Sequence, residues 1–418
     1  MIAAESLGTP PAMSEQSRKP LNIALAAGAV FALALGLRQA QPLFISVLNS
    51  HTGIGYATIS LAFGIAQLTW GVAQPVAGAV ADRWGPRWVM IAGVTLLAAA
   101  NMATPFSGNA VVLTLLIGVA AAAGAGAVGP AMLISAANRW IPEAKRSVSA
   151  GIINAGGSFG QFTIIPLAQL LMGIAGWQPA LVILGVTGLA AVPLVLVLTR
   201  VAPAHAAGVT AHGGATLRVA LREAIRDPSF LLLNAGFFTC GFHVAFIATH
   251  LPGMVALCEL PASVSAWSLS VIGLFNIMGS LWVGKVVQKR SMKYALATIY
   301  FARAIVILAF FLAPKTPAVF FLFAAGIGFT YLSTVPPTAG LVAKLRGARY
   351  LATLFGIVML SHQIGGFLGA WLGGKAFEAT GSYDWMWLAD ITLCLFAAIV
   401  QLPIREVRSL PAVAPAQA

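Results

Sequence analysis

The sequence predicts an all-α membrane protein of twelve transmembrane helices arranged as two six-helix bundles. Three observations carry that prediction. Of 418 residues, 59% are hydrophobic and 8% charged, whereas a soluble domain carries about a quarter charged residues. Apolar segments of about 20 residues recur along almost the whole chain, each long enough to cross the ~30 Å hydrocarbon core as a helix. The longest polar interval, 200–228, follows the sixth of them and leaves six more behind it. Without apolar–polar alternation a β-barrel is excluded.

Residues 1–20 form a polar N-tail holding Glu5, Glu15, Arg18 and Lys19. It has no short apolar core ahead of a cleavage site, so no signal peptide is expected. Twelve apolar runs between charged or turn-rich punctuation follow, near 21–48, 56–80, 88–107, 110–136, 148–172, 177–199, 229–254, 264–287, 294–313, 317–342, 351–374 and 384–404. Span 1 carries "GLRQAQPLF" (36–44), which places Arg38 among apolar neighbours with Pro42 loosening the backbone; the loop "GAVADRWGPR" (78–87) follows span 2. Spans 4 and 5 carry "GVAAAAGAGAVGP" (118–130) and "GIINAGGSFG" (151–160), and span 11 carries "GGFLGAWLGG" (365–374). Small residues at helical spacing let helices pack closely, and Pro75, Pro130, Pro166 and Pro336–Pro337 permit bending. The expected units are an N-terminal bundle (21–199), a linker (200–228), a C-terminal bundle (229–404) and a C-tail (405–418). Within the linker, Thr216 to Arg226 reads as a short amphipathic surface helix.

Charge placement gives the orientation. Of the 24 Lys and Arg residues, 20 lie in the two tails and in the loops after even-numbered spans; the other side holds Lys315 and Lys375, and Arg38 and Arg303 lie inside spans. The positive-inside rule therefore puts both termini in the cytoplasm. The net charge of +13 is spread over these loops rather than gathered on one face of a soluble element, which argues against nucleic-acid binding. Cys240, Cys258 and Cys394 suggest neither a disulfide nor a thiolate metal site.

The loop after span 2 has a decayed copy after span 8, "GKVVQKRSMK" (284–293), with Gly78/Gly284, Arg83/Lys289 and Arg87/Lys293 each 206 positions apart. Parallel six-helix repeats with a midplane cavity are one way to build alternating access. In the first copy Gly78 allows close helix approach, Gly85 permits a tight turn, and Asp82 can cap a helix or pair with a cation. With Arg83 and Arg87 these residues read as a conformational latch between helices.

This loop resembles the loop 2–3 signature of the major facilitator superfamily, and the twelve-span layout covers nearly the whole chain. The resemblance implies a secondary transporter whose halves rock around a central cavity. "GLRQAQPLF", "GLFNIMGSLWVG" (273–284) and "SHQIGGFLGAWLGG" (361–374) look like the monocarboxylate transporter branch and its bacterial relatives, including oxalate/formate-type carriers. In that branch a cation on helix 1 is associated with the substrate carboxylate, so the resemblance gives Arg38 that role. The branch often has arginine four residues after the helix 8 Asn; here Asn276 is followed at that spacing by Ser280.

The ionisable residues inside spans are Arg38, His243, His250, Arg303, His362 and Asp390. Each costs free energy to bury and needs a partner or a wet cavity. Arg38, flanked by Gln39 and Gln41, can grip a carboxylate through two parallel hydrogen bonds but cannot carry a proton; the alternative is a structural arginine bonded to carbonyls or snorkelling outward. His362, beside Gln363, and His243 are the candidates for proton coupling, because imidazole changes charge near physiological pH. His243 and His250 lie seven residues apart on one face of span 7, with His250 nearer the outside as a cap or gate. Arg303 and Asp390 read as packing or ion-pair residues. Gln161, Asn276 and Tyr331 complete the candidate substrate site; Gln67 and Asn154 are weaker members.

The expected function is transport of a small organic anion, a carboxylate, with a proton as candidate co-substrate. Efflux of amphipathic drugs or metabolites is the alternative; against it, Gly160 is followed by Gln161 rather than by the proline of an exporter signature. No nucleophile–base pair or metal cluster is visible, so no enzyme activity, cofactor or metal is expected. The expected setting is a monomer spanning a bacterial inner membrane.

Overall fold

The computed structural model describes residues 15–199, 217–347 and 350–406. Most of the N-tail, linker residues 200–216 with Arg200, His205 and His212, and the C-tail from 407 lie outside the described residues. Twelve helices are long and apolar enough to cross a membrane: Pro20–Thr52, Tyr56–Trp84, Pro86–Phe106, Ala110–Asn138, Val148–Ala175, Trp177–Leu198, Pro228–Leu257, Ala262–Val286, Met292–Leu312, Pro317–Arg346, Thr353–Thr380 and Asp384–Gln401. They are spans 1 to 12 below. Among the described residues there is no strand. Several spans outrun their apolar windows because helical hydrogen bonding continues into polar sequence until glycine stops it: Gly53 ends span 1 at φ +65° and Gly381 ends span 11 at φ +68°. The linker helix forms over Leu217–Arg226.

Spans 1–6 and 7–12 form two six-helix bundles with equivalent internal contacts. In the first, span 1 lies backbone to backbone on span 5, where Gly156 meets Gly28 and Gly160 meets Ala32. In the second, span 7 lies on span 11, with Gly365 and Gly369 against Phe238 and Phe242. At Gly160 a Cβ would overlap the carbonyl group of Ala32, so only glycine permits this approach. The prolines differ in whether the helix breaks beside them. Pro130 and Pro336–Pro337 sit at helix starts after interruptions, while Pro75 and Pro166 stay inside continuous helices.

The halves meet along two seams, span 2 with span 11 and span 5 with span 8. Contact is confined to the parts of these spans away from the termini: Gly374 touches Ser60, Gly64 touches Phe367, and Gly273 touches Ser158. Glu378 reaches across to accept from the backbone N–H of Ala57 at 2.8 Å, on the first turn of span 2. Toward the terminus-bearing side the halves separate. A methyl group added to Gly78, Gly151, Gly284 or Gly356, one on each seam helix, would meet nothing within 4 Å.

On that side the decayed loop copy is tied down within its own half. Glu406 caps the start of span 9, accepting from Ser291 Oγ at 2.6 Å and from the N–H groups of Met292 and Lys293, and pairs with Lys344 at 2.6 Å. Burial alone would raise the Glu406 carboxyl; the hydrogen bonds from Lys344, Ser291 and the two backbone N–H groups outweigh it and hold it below its ordinary value. A depressed carboxylate adds stability above the unfolded pKa of about 4.3 and loses it as pH falls through the folded value. Glu406→Gln is therefore expected to lower thermal stability at pH 7, by no more than about 1 kcal/mol for a partly exposed pair. Melting curves taken down to acid pH check this: the gap between variant and wild type closes below the ordinary carboxylate range.

Candidate functional site

Span 1 runs as an α-helix to Ala40 and tightens into a 3-10 turn over Gln41–Phe44, where Pro42 lacks the N–H of a helix ladder. Arg38 lies half-buried in the last turn before this break. Its Nη2 donates to Gln67 Oε1 on span 2 at 2.7 Å, and the guanidinium lies over the Trp70 ring, 4.9 Å from the centroid. Gln67 and Trp70, three apart, share one helix face. Arg38 Nε has no protein partner, and among the described residues no carboxylate pairs with Arg38. Of five N–H donors the fold employs one.

The polar contacts continue across the seam. Gln363 on span 11 donates from Nε2 to the backbone oxygen of Gln67 at 3.0 Å. A carbonyl oxygen only accepts, so this bond fixes the amide's orientation and turns Oε1 toward His362 Nδ1, 2.8 Å away. His362 therefore carries its proton on Nδ1. Its buried Nε2 makes no hydrogen bond of ordinary geometry among the described residues; the Cys240 thiol interacts with the imidazole, and Phe237 lies against the ring at 5.0 Å.

Tyr331 stands in an interruption of span 10, which is helical over Pro317–Thr330 and again over Val335–Arg346. Its hydroxyl donates to Val244 O on span 7 at 3.0 Å, and the phenol lies close enough to Arg38 for the two to interact electrostatically. Arg38, Tyr331 and His362 are thus linked at one locus between the halves.

The other three residues read as site members are placed differently. Gln161 is buried in the second seam, donating to Leu269 O at 2.9 Å. Asn276 donates to Ser158 Oγ across the same seam at 2.9 Å and accepts from the N–H of Leu332 at 3.0 Å. Ser280 donates to Asn276 at 3.4 Å. These amides join helices because they find carbonyl, hydroxyl and N–H partners there. His243 is fully buried inside the second half, with Nδ1 2.7 Å from Asp390 Oδ2 on span 12.

Among the remaining polar groups, His250 Nε2 binds Ala370 O at 2.7 Å, joining spans 7 and 11. Gln41 turns to Asn101 at 3.3 Å, and exposed Asn154 bonds within its own helix to Ala150 O. Arg303 donates from Nη2 to the carbonyl oxygens of Thr330 and Tyr331. In the loop after span 2 Gly85 makes the turn at φ +86°, Arg83 and Arg87 lie over Trp84 and Trp88, and exposed Asp82 makes no ion pair among the described residues.

His243, Asp390 and Cys394 bring three potential ligand atoms within 4.8 Å of one another. The His243–Asp390 separation of 2.7 Å is that of a hydrogen bond, shorter than the about 3.3 Å between two ligands of a tetrahedral zinc. With Arg303 acting on the same group, it is a polar core rather than a metal cage.

Sequence reading passed over Trp70 and gave little weight to Gln67 and Gln363. The available signal was an amide inside an otherwise apolar span, which is more often interhelical glue.

The chain matches the sequence profile of the Major Facilitator Superfamily over residues 24–370. It is 24% identical to the uncharacterised MFS-type transporter YcxA of Bacillus subtilis (strain 168), over 89% of this chain and 92% of that one. It is 26% identical to monocarboxylate transporter 13 of Rattus norvegicus (77% and 73% covered) and 24% identical to the oxalate:formate antiporter of Oxalobacter formigenes (81% and 80%). Its fold is similar to a crystal structure of a bacterial homologue of the human lysosomal transporter Spinster, inward-facing and unoccupied. The TM-score is 0.74 at 16% identity, covering 96% of this chain and 100% of that one. Twelve spans in two equivalent bundles and a profile match across most of the sequence show that the chain belongs to the Major Facilitator Superfamily, a family of membrane transporters and not of enzymes.

Proposed function

We propose that the protein moves a small organic anion, a carboxylate, across a bacterial inner membrane by alternating access, as a monomer with both termini in the cytoplasm and with a proton as co-substrate. The observation that carries this reading is Arg38. An arginine inside a span is costly, and this one has no counter-ion among the described residues and most of its donors unengaged. A carboxylate supplies the missing charge through two parallel hydrogen bonds. The names of the monocarboxylate and oxalate:formate relatives point to the same class. His362 and His243, each with a buried Nε2 that makes no hydrogen bond of ordinary geometry among the described residues, are the candidate proton acceptors.

The test is counterflow in proteoliposomes against a panel of mono- and dicarboxylates, with amphipathic dyes as the contrasting class. Carboxylate exchange supports the reading; dye transport with no carboxylate exchange overturns it.

With positive loops inside, the separated ends of the halves face the cytoplasm, so the cavity opens inward here. Reversal requires the helix ends around Gly151 and Gly356 to approach those around Gly78 and Gly284. Gly356 is exposed and a Cβ added there meets nothing within 4 Å; Gly356→Trp is expected to preserve carboxylate binding while stopping transport. Thermal-shift binding and proteoliposome flux read the two separately; wild-type flux in the variant would contradict closure at that point.

A further inference from the structure

We propose that the His243–Asp390 pair is the binding site of the coupled proton, and that Arg303 passes its charge state to the interruption in span 10 that carries Tyr331. The proposal rests on the transport reading above and locates its proton.

Among the described residues, Arg303 and Asp390 are the only Asp, Glu, Lys or Arg side chains in the buried class, each 0% exposed, and both lie in the second half. Together they leave that interior neutral, the arrangement that makes buried charge tolerable. His243 interacts with both. It is hydrogen-bonded to Asp390 at 2.7 Å and lies within electrostatic reach of Arg303. A carboxylate accepts, so the imidazole donates from Nδ1, leaving Nε2 bare, buried and without a protein partner. The other titratable groups facing this cluster are the thiols of Cys240 on span 7 and Cys394 on span 12 and the phenols of Tyr300 on span 9 and Tyr331 on span 10; the His362 imidazole on span 11 faces the Cys240 thiol.

Arg303 connects the pair to a soft point. Between Thr330 and Val335 span 10 is not helical, and Pro336 and Pro337 have no N–H to give. Neighbouring spans hold this stretch. Arg303 Nη2 donates to Thr330 and Tyr331 oxygens, the latter at 3.0 Å. Asn276 Oδ1 takes the N–H of Leu332, and the Cys240 thiol lies 3.2 Å from the Thr334 hydroxyl. Arg303 Nε and Nη1 have no protein partner, so the guanidinium has donors in reserve for a different pose.

A hydronium ion gives its proton to His243 Nε2: the N–H bond forms as the hydronium O–H bond breaks, and a neutral water leaves. Asp390 then faces an imidazolium, and the interior rises from neutral to one positive charge. Arg303 is repelled from the pair toward the carbonyl oxygens of Thr330 and Tyr331. Tyr331 moves with them, and it is the residue of this segment within reach of Arg38. Arg303 is thus a positioning residue. Among the described residues no carboxylate pairs with His362, so a proton there would be a cation without a counter-ion, as Arg38 already is.

The experiment follows the thiol-labelling rate of a Gly356→Cys protein in a Cys258→Ser background as pH is varied from about 5 to 8, without substrate. The rate is expected to step once with pH. The step is lost on adding His243→Gln or Asp390→Asn and kept on adding His362→Gln. A step that survives His243→Gln, or one abolished by His362→Gln alone, overturns the proposal. If the His243 and Asp390 variants do not fold, histidine-selective 15N spectra of the parent protein decide: a buried imidazole must titrate in step with the labelling rate, and the absence of one overturns the proposal. Carboxylate counterflow is measured in parallel. Its absence would remove the anion reading while the labelling result still decides the proton site.

Discussion

Arg38→Ala is expected to abolish carboxylate transport while leaving a folded protein. A hydrogen bond to a charged group is worth about 1.5–3 kcal/mol, so two parallel ones put the loss in affinity at roughly 100-fold or more. The fold loses little: one bond to Gln67 and the stacking on Trp70, against which it no longer shelters a charge without a counter-ion. Arg38→Lys keeps the charge but replaces the planar fork with a point charge, and is expected to bind with intermediate affinity. The measurement is the stabilisation of purified protein by carboxylates, alongside counterflow. If Arg38→Ala is stabilised by the same acids at the same concentrations as wild type, Arg38 is not the anchor.

The fold was legible because the bilayer demands a minimum apolar length of every spanning helix, and charged loops mark where each one ends. Glycine patterns were legible for the same kind of reason: Gly156 and Gly160 mark an approach that admits no side chain. The site was legible only in its charges. Arg38 announces itself because no arginine sits in an apolar run without cause. The amides did not, because Gln161, Asn276 and Gln363 are the same residue types whether they hold helices together or face a ligand, and only partner geometry separates the two. The same holds for His243 and His362. Periodicity places both on interior helices, but only the folded chain sets Asp390, 147 residues away, against one and Gln363 against the other. The loop after span 2 shows a further limit. The sequence pattern suggests a contact for Asp82, but among the described residues Asp82 is exposed and makes no ion pair.

Arg303→Ala is expected to destabilise the protein by about 3–5 kcal/mol, the range for removing one member of a buried charged set. Two losses contribute. The Thr330 oxygen loses its arginine donor and the Tyr331 oxygen keeps only the Cys240 thiol at 3.7 Å, and Asp390 becomes the lone Asp, Glu, Lys or Arg of the buried class among the described residues. The two are separable. Adding Asp390→Asn removes the second loss and leaves the first, so the double variant is expected to outlast Arg303→Ala even though it carries one more substitution. Because large membrane proteins unfold irreversibly, the appropriate measure is the half-life of the detergent-solubilised protein at fixed temperature. A double variant no longer-lived than Arg303→Ala would mean that Arg303 does not balance Asp390, and that its contribution lies in the span 10 carbonyls alone. A longer-lived double variant would place the two charges in one electrostatic unit with His243, which is the condition for a proton on that pair to be felt at Tyr331.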